Sequence, residues 1–280
     1  MGVRIRAGSM ALSASRPAAA IALPFAAVTL IVTAALSSIL PGAASAQGSA
    51  SNHDLSGVWM PITNTRGFPM TQWSPDALPF TAKGREMFDA NVPGKGPRET
   101  LPANGNDPIG TANPPGLLRT LVYPRPWEFI QANGKVVQTF EWGKHWRAIW
   151  TDGRDVAGEM VSGPYWYGYS VGHWDGDTLV VTTNNIDGRQ WIDEWGTPIS
   201  EYDAVVEERW RRVSDDRLEL TVTIRDPEVY SRPWTSAVMV YERQAKGSIA
   251  GEPIEQIFAP IDELLFNKTV RDPIAEGPAK

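Results

Sequence analysis

Between residues 125 and 243 apolar and polar positions alternate with period two, the spacing of a strand with one buried and one wet face. The pattern is cleanest over Arg217–Arg225, where Leu218, Leu220, Val222 and Ile224 share one face and Glu219, Thr221, Thr223 and Arg225 share the other. Turn residues punctuate the alternation. Asn133-Gly134 joins strands at 127–131 and 135–141, Asp175-Gly176 joins 166–174 to 177–183, and Asp215-Asp216 joins 205–213 to 217–225. Further strands are expected at 145–151 and 234–243, and Leu55-Ser-Gly-Val-Trp59 reads as the first of the set. Hairpin after hairpin without intervening helices predicts a mainly β domain, an antiparallel meander closing into a barrel or a sandwich.

Three stretches depart from that period. Thr81 is placed to cap a short helix running to Ala90. Residues 91–118 hold five Gly and six Pro, which predicts a long, ordered covering loop of the kind that forms lids and binding loops. After Gly247, the residues Ile254, Ile257, Phe258, Ile261, Leu264 and Leu265 recur at helical spacing, broken by Pro260. The expected organisation is one β-barrel domain over 47–246 and a short C-terminal helical tail over 247–280.

Residues 1–46 do not belong to that domain. Arg4, Arg6 and Arg16 precede an apolar run from Ala18 to Leu40, and Ala44-Ser45-Ala46 closes it. A basic start, an apolar middle and a small-x-small end predict a secretory signal peptide cleaved before Gln47. A periplasmic or secreted location follows. Cleavage removes three arginines and no acid, so the formal net charge moves from −6 to −9. An acidic exported chain has no electrostatic footprint for nucleic acid or anionic lipid. The absence of Cys excludes disulfides, thiolate metal sites and Cys nucleophiles. The 12 Trp are more than packing alone requires.

The block Gly172-His-Trp-Asp-Gly-Asp-Thr-Leu-Val-Val181 resembles the G-x-W-[ED]-G-D-T-L-V-V signature of an uncharacterised family of secreted proteobacterial and acidobacterial proteins. Asp54–Trp59, His145–Gly153, Trp191–Asp193, Glu208–Arg212 and Arg232–Thr235 are similar to further blocks of that family, in the same order. Pro198-Ile199-Ser200 stands where the family often has Pro-His-Ser, and the family's Cys-containing ending is absent. The resemblance implies membership and no activity. By analogy alone, a meander followed by a helix is similar to lipocalin-like barrels.

Gly168-Tyr-Ser170-Val-Gly172 matches G-x-S-x-G, but a nucleophile elbow needs a strand, a turn and a helix with a later His. Here another strand follows. The same segment suggests a pocket instead. In an extended strand Tyr165, Tyr167, Tyr169, Val171 and His173 share a face, giving an apolar wall with polar tips. The candidate ligand residues are Tyr165, Tyr167, Tyr169 and His173, with Trp146, Arg147 and Trp150 from strand 145–151 and Trp210 from strand 205–213. Glu208 shares its face with Val206 and Trp210, so it faces inward if they do. A carboxylate there is either an acid–base group, with His145 and Arg147 as partners, or one half of a salt bridge. His145 and His173 lack metal-ligand spacing, so neither metal nor cofactor is expected. Three functions fit these residues: a binding protein for an apolar or aromatic small molecule; a cofactor-free isomerase, lyase or hydrolase using Glu208 and His145; and a carbohydrate-active protein. A closed lumen suits the first and an open groove the last.

Overall fold

The computed structural model describes residues 53–62, 77–101, 104–156 and 163–254. The expected signal peptide and the helical repeat beyond Ile254 lie outside these residues. Ten strands form one sheet: β1 (Gly57–Pro61), β2 (Trp127–Ala132), β3 (Lys135–Phe140), β4 (Trp146–Trp150), β5 (Tyr169–Asp175), β6 (Thr178–Asn184), β7 (Val205–Arg212), β8 (Arg217–Arg225), β9 (Trp234–Thr235) and β10 (Met239–Arg243). Strands β1 to β8 follow one another around the sheet, and β10 pairs with both β1 and β8, so nine strands close a barrel. Closure removes the unpaired edges an open sheet would leave. The chain is mainly β, as its alternation predicts.

The meander is not antiparallel throughout. β4 and β5 run parallel, pairing only at Ile149 with Ser170 and Trp150 with Val171. Parity explains this: directions that alternate around a ring of nine strands must repeat once. The repeat falls between Trp150 and Tyr169, which lie too far apart in sequence to be joined by a tight hairpin turn.

Alternation fills the interior. Val206, Glu208 and Trp210 of β7 and Leu218, Leu220, Val222 and Ile224 of β8 are fully buried. Trp127 meets Phe129, Trp210 and Tyr241 edge-on, with ring centroids 4.9–5.2 Å apart. Such edge-to-face contacts add to the burial of large apolar rings. The barrel interior is therefore a packed core. β9 and β10 are two pieces of the single strand expected at 234–243. Between them the Ser236 hydroxyl accepts from Val222 N at 2.9 Å while Ser236 N donates to Val222 O at 2.8 Å. A side-chain oxygen thus takes the place of a ladder carbonyl at a bulge.

Two helices accompany the barrel. α1 (Ala82–Ala90) begins where Thr81 accepts from Gly84 N at 2.9 Å, which is the expected cap. α2 (Leu117–Val122) was not expected from the sequence. All six of its residues are buried, and the Tyr241 hydroxyl donates to Leu121 O at 3.0 Å. Before it, within the 91–118 loop, Pro108–Thr111 form a 3-10 turn capped by Asp107. Another 3-10 turn, Ile249–Gly251, lies near the end of the described residues.

Candidate functional site: an aromatic cleft in the barrel wall

The short parallel pairing creates a gap. Only the C-terminal end of β4 is bonded to β5, so Trp146, Arg147 and Ala148 diverge from the segment that leads into β5. That segment, 165–168, is a turn held by Gly168 N donating to Tyr165 O at 3.0 Å. Gly168 has φ +64°, and a Cβ there would lie 2.5 Å from Thr183 Cγ2 and 2.7 Å from Asn184 O. Glycine is needed for both the conformation and the space. Between the diverging segments lies a cleft of about 540 Å³, within the range of small-molecule sites.

Its residues are largely those singled out by pattern. Trp146, Trp150, Tyr165, Tyr167 and Tyr169 line it, with Trp166 added, and Arg147 and Ser170 reach its floor. Trp146 and Tyr165 are 64% and 43% exposed. The Arg154 guanidinium lies 3.8 Å over the Trp150 ring and donates to the Tyr169 hydroxyl at 3.3 Å, which fixes one wall.

The single tyrosine stripe is corrected. The turn at Gly168 breaks the alternation, so Tyr165 is exposed, while Tyr167 turns inward, stacking on Phe140 at 5.3 Å. Within β5, Ser170 is buried, whereas His173 is exposed on the outer face. His173 therefore does not line the cleft. Trp210 does not either, being a core residue with no exposed surface.

Beneath the floor is a buried polar network. Arg147 Nη1 and Nη2 donate to Glu208 Oε1 and Oε2 at 2.7 and 2.6 Å, a bidentate pair with side chains 2% and 0% exposed. Trp210 Nε1 donates to Glu208 Oε2 at 3.0 Å. Arg147 Nε donates to Gln138 Oε1 at 2.9 Å, and Ser170 shares a 2.8 Å hydrogen bond with Thr183. Every oxygen of Glu208 is thus committed, and the salt-bridge reading of this residue is the one the geometry supports. His145 is not brought to it. Its half-buried ring tilts against Tyr167 at 5.5 Å, and burial lowers its pKa from 6.5. Two buried polar atoms here, the Tyr167 hydroxyl and Gln138 Nε2, have no hydrogen-bond partner among the described residues. Burial raises the Tyr167 phenol well above its ordinary value, with the Arg147 charge opposing it.

Three of these residues are not singled out by the sequence: strand alternation puts Trp166 on the face opposite the tyrosines, and Gln138 and Thr183 give no signal beyond their alternate positions. Ser170 of the G-x-S-x-G match is a buried network member, not an exposed nucleophile. His53 is exposed and stacks on Trp174 at 4.3 Å. Among the described residues no three His, Asp or Glu side chains gather as metal ligands, and no helix is long and apolar enough to cross a membrane. Comparison with family descriptions, curated proteins and solved structures gave no match.

Proposed function

We propose that this protein is an exported binding protein that holds the ring of an apolar or aromatic small molecule in the wall cleft. The observation that carries the reading is the gathering of five indole and phenol rings, Trp146, Trp150, Trp166, Tyr165 and Tyr169, around one opening above a polar floor. Rings bring large apolar area with little conformational entropy to lose, and the floor supplies orientation. The packed interior leaves the wall, not the lumen, for the ligand. Glu208 and Arg147 hold the floor in shape. With both oxygens of Glu208 bonded, an acid–base reaction through that residue has no support in the geometry.

The openness of the cleft favours one second reading. Exposed Trp146 and Tyr165 present rings along the outer wall, as a surface that stacks on sugar rings would. Titration separates the two. With 2-naphthol as probe, tryptophan fluorescence shifts saturably and Trp146→Ala weakens binding about tenfold. Saturable binding of a gluco-oligosaccharide, with none of 2-naphthol, overturns the first reading in favour of the second. In both readings the mature chain begins at Gln47, and intact mass of exported material that retains residues 1–46 contradicts the exported location.

A further inference from the structure

We infer that the cavity beneath the 91–118 loop is a second binding site, built for a small organic ammonium cation. The inference stands independently of the wall cleft. The cavity has a volume of about 490 Å³ and is bounded by Lys95, Asp107 and Ile109 of the loop, by Arg119 of α2, and by Trp142 and Glu194.

The cover is fastened. Arg98 Nη1 donates to Phe88 O and Asn91 O at 2.8 and 3.0 Å, and its Nη2 donates to Trp195 O at 2.8 Å. Asn106 bonds to both Val92 and Ala90, tying the loop back on itself. A loop so held keeps a cavity open at little further entropic cost on binding.

The charges in the cavity differ in how far they are satisfied. Arg119 Nη1 and Nη2 and Asp107 form a bidentate pair at 2.9 and 2.8 Å, and Asp107 also accepts from Ile109 N, so that carboxylate is committed, while Arg119 Nε has no partner among the described residues. Asp193 accepts from Trp195 N, Thr197 N and the Thr197 hydroxyl, which fixes the turn that carries Glu194. Glu194 itself is different. Its side chain is 8% exposed, yet the only donor the described residues offer it is Lys95 Nζ, at 3.3 and 3.4 Å. Charge-assisted bonds of this type close at about 2.7–2.9 Å, so the carboxylate is under-coordinated. The lysine is 64% exposed on a flexible stem, so leaving Glu194 for water costs it little. A ligand ammonium that enters the cavity takes the lysine's place at shorter range. In the lining of the same cavity Tyr123 and Trp142 stack at 3.9 Å, with the Arg119 guanidinium 5.8 Å from the Trp142 ring centroid, and give the cation's organic body an aromatic wall.

The test uses three probes of one shape: benzylamine, benzyl alcohol and benzoate. Calorimetric titration is expected to show saturable binding of benzylamine and none of benzoate. Glu194→Gln, which keeps the shape, weakens benzylamine about 10- to 100-fold, the worth of a charged hydrogen bond. Lys95→Ala lies on an exposed side chain, cannot unfold the protein through lost packing, and tightens benzylamine severalfold by removing the competitor. Preferential binding of benzoate overturns the inference, because Arg119 Nε, a buried donor without a partner, then acts with Lys95 as an anion site. Benzylamine affinity unchanged in both variants, or no binding of any probe, overturns it too. Benzylamine held in the wall cleft instead would respond to Trp146→Ala and not to Lys95→Ala.

Discussion

Glu208→Gln tests the buried network most sharply. The substitution keeps volume but turns one acceptor oxygen into a donor. That donor then faces Arg147 Nη1 at 2.7 Å, or Nη2 at 2.6 Å and Trp210 Nε1 at 3.0 Å, whichever way the amide is turned. The Arg147 charge, with a side chain 2% exposed, is left without its counter-ion. Breaking one half of a buried pair costs about 3–5 kcal/mol. For a chain of this size each kcal/mol moves Tm by about 2–4 °C, so a loss of about 6–20 °C is expected. Urea unfolding followed by tryptophan fluorescence at neutral pH gives the free energy directly. The double variant Arg147→Met/Glu208→Leu leaves no charge buried and strands only Trp210 Nε1 and Gln138 Oε1, about 1–3 kcal/mol each, so it should lose less than Arg147→Met and Glu208→Leu lose when summed. A Glu208→Gln loss under about 1 kcal/mol, the worth of a surface pair, refutes the buried pair, as does a double variant whose loss equals that sum.

Gly168→Ala adds a Cβ 2.5 Å from Thr183 at φ +64°, and should cost at least about 2 kcal/mol in urea unfolding while reshaping the cleft; a loss under about 0.5 kcal/mol contradicts the turn geometry. His145 has its pKa lowered by burial, so below its ordinary 6.5 the unfolded chain binds the proton that the folded chain refuses, and stability falls as pH drops from 6.5 towards the lowered value. His145→Gln should remove that share of the acid sensitivity, seen as a smaller stability difference between pH 7.5 and 5.5 than in the parent; an equal difference contradicts it. Ser236→Ala removes the acceptor for the buried Val222 N and should cost about 1–3 kcal/mol; a neutral effect in unfolding contradicts the bulge.

The strands were legible because period two and paired turn residues are local signals. Asn133-Gly134 and the alternation over Leu218–Ile224 place four strands almost to the residue. The inward face of Glu208 followed from Val206 and Trp210 in the same way. The parallel pairing of β4 with β5 was not legible, because it comes from the parity of the closed ring, a property of the whole sheet. α2 was hidden because six apolar and mixed residues are too few to display a helical period. The site was readable in composition and not in placement. Trp146, Trp150 and the tyrosines do share one cleft, but a positive φ at Gly168 sent Tyr167 inward and left Tyr165 out. His173 lies outside the cleft because it is exposed on the outer face of β5, and Trp210 because its inward face belongs to the packed core.

The proposed binding function requires that ligand meet the rings of the wall cleft and leave the packed interior alone. Fluorine NMR of 5-fluorotryptophan-labelled protein tests it directly, since each indole reports separately and single Trp→Phe variants assign the signals. On addition of 2-naphthol, the resonances of Trp146, Trp150 and Trp166 should move in step with saturation, while those of Trp59, Trp127, Trp210 and Trp234, all fully buried, stay fixed. Shifts confined to Trp127 and Trp210, with the cleft resonances unmoved, would mean that the lumen opens to the ligand and that the wall cleft is not the site.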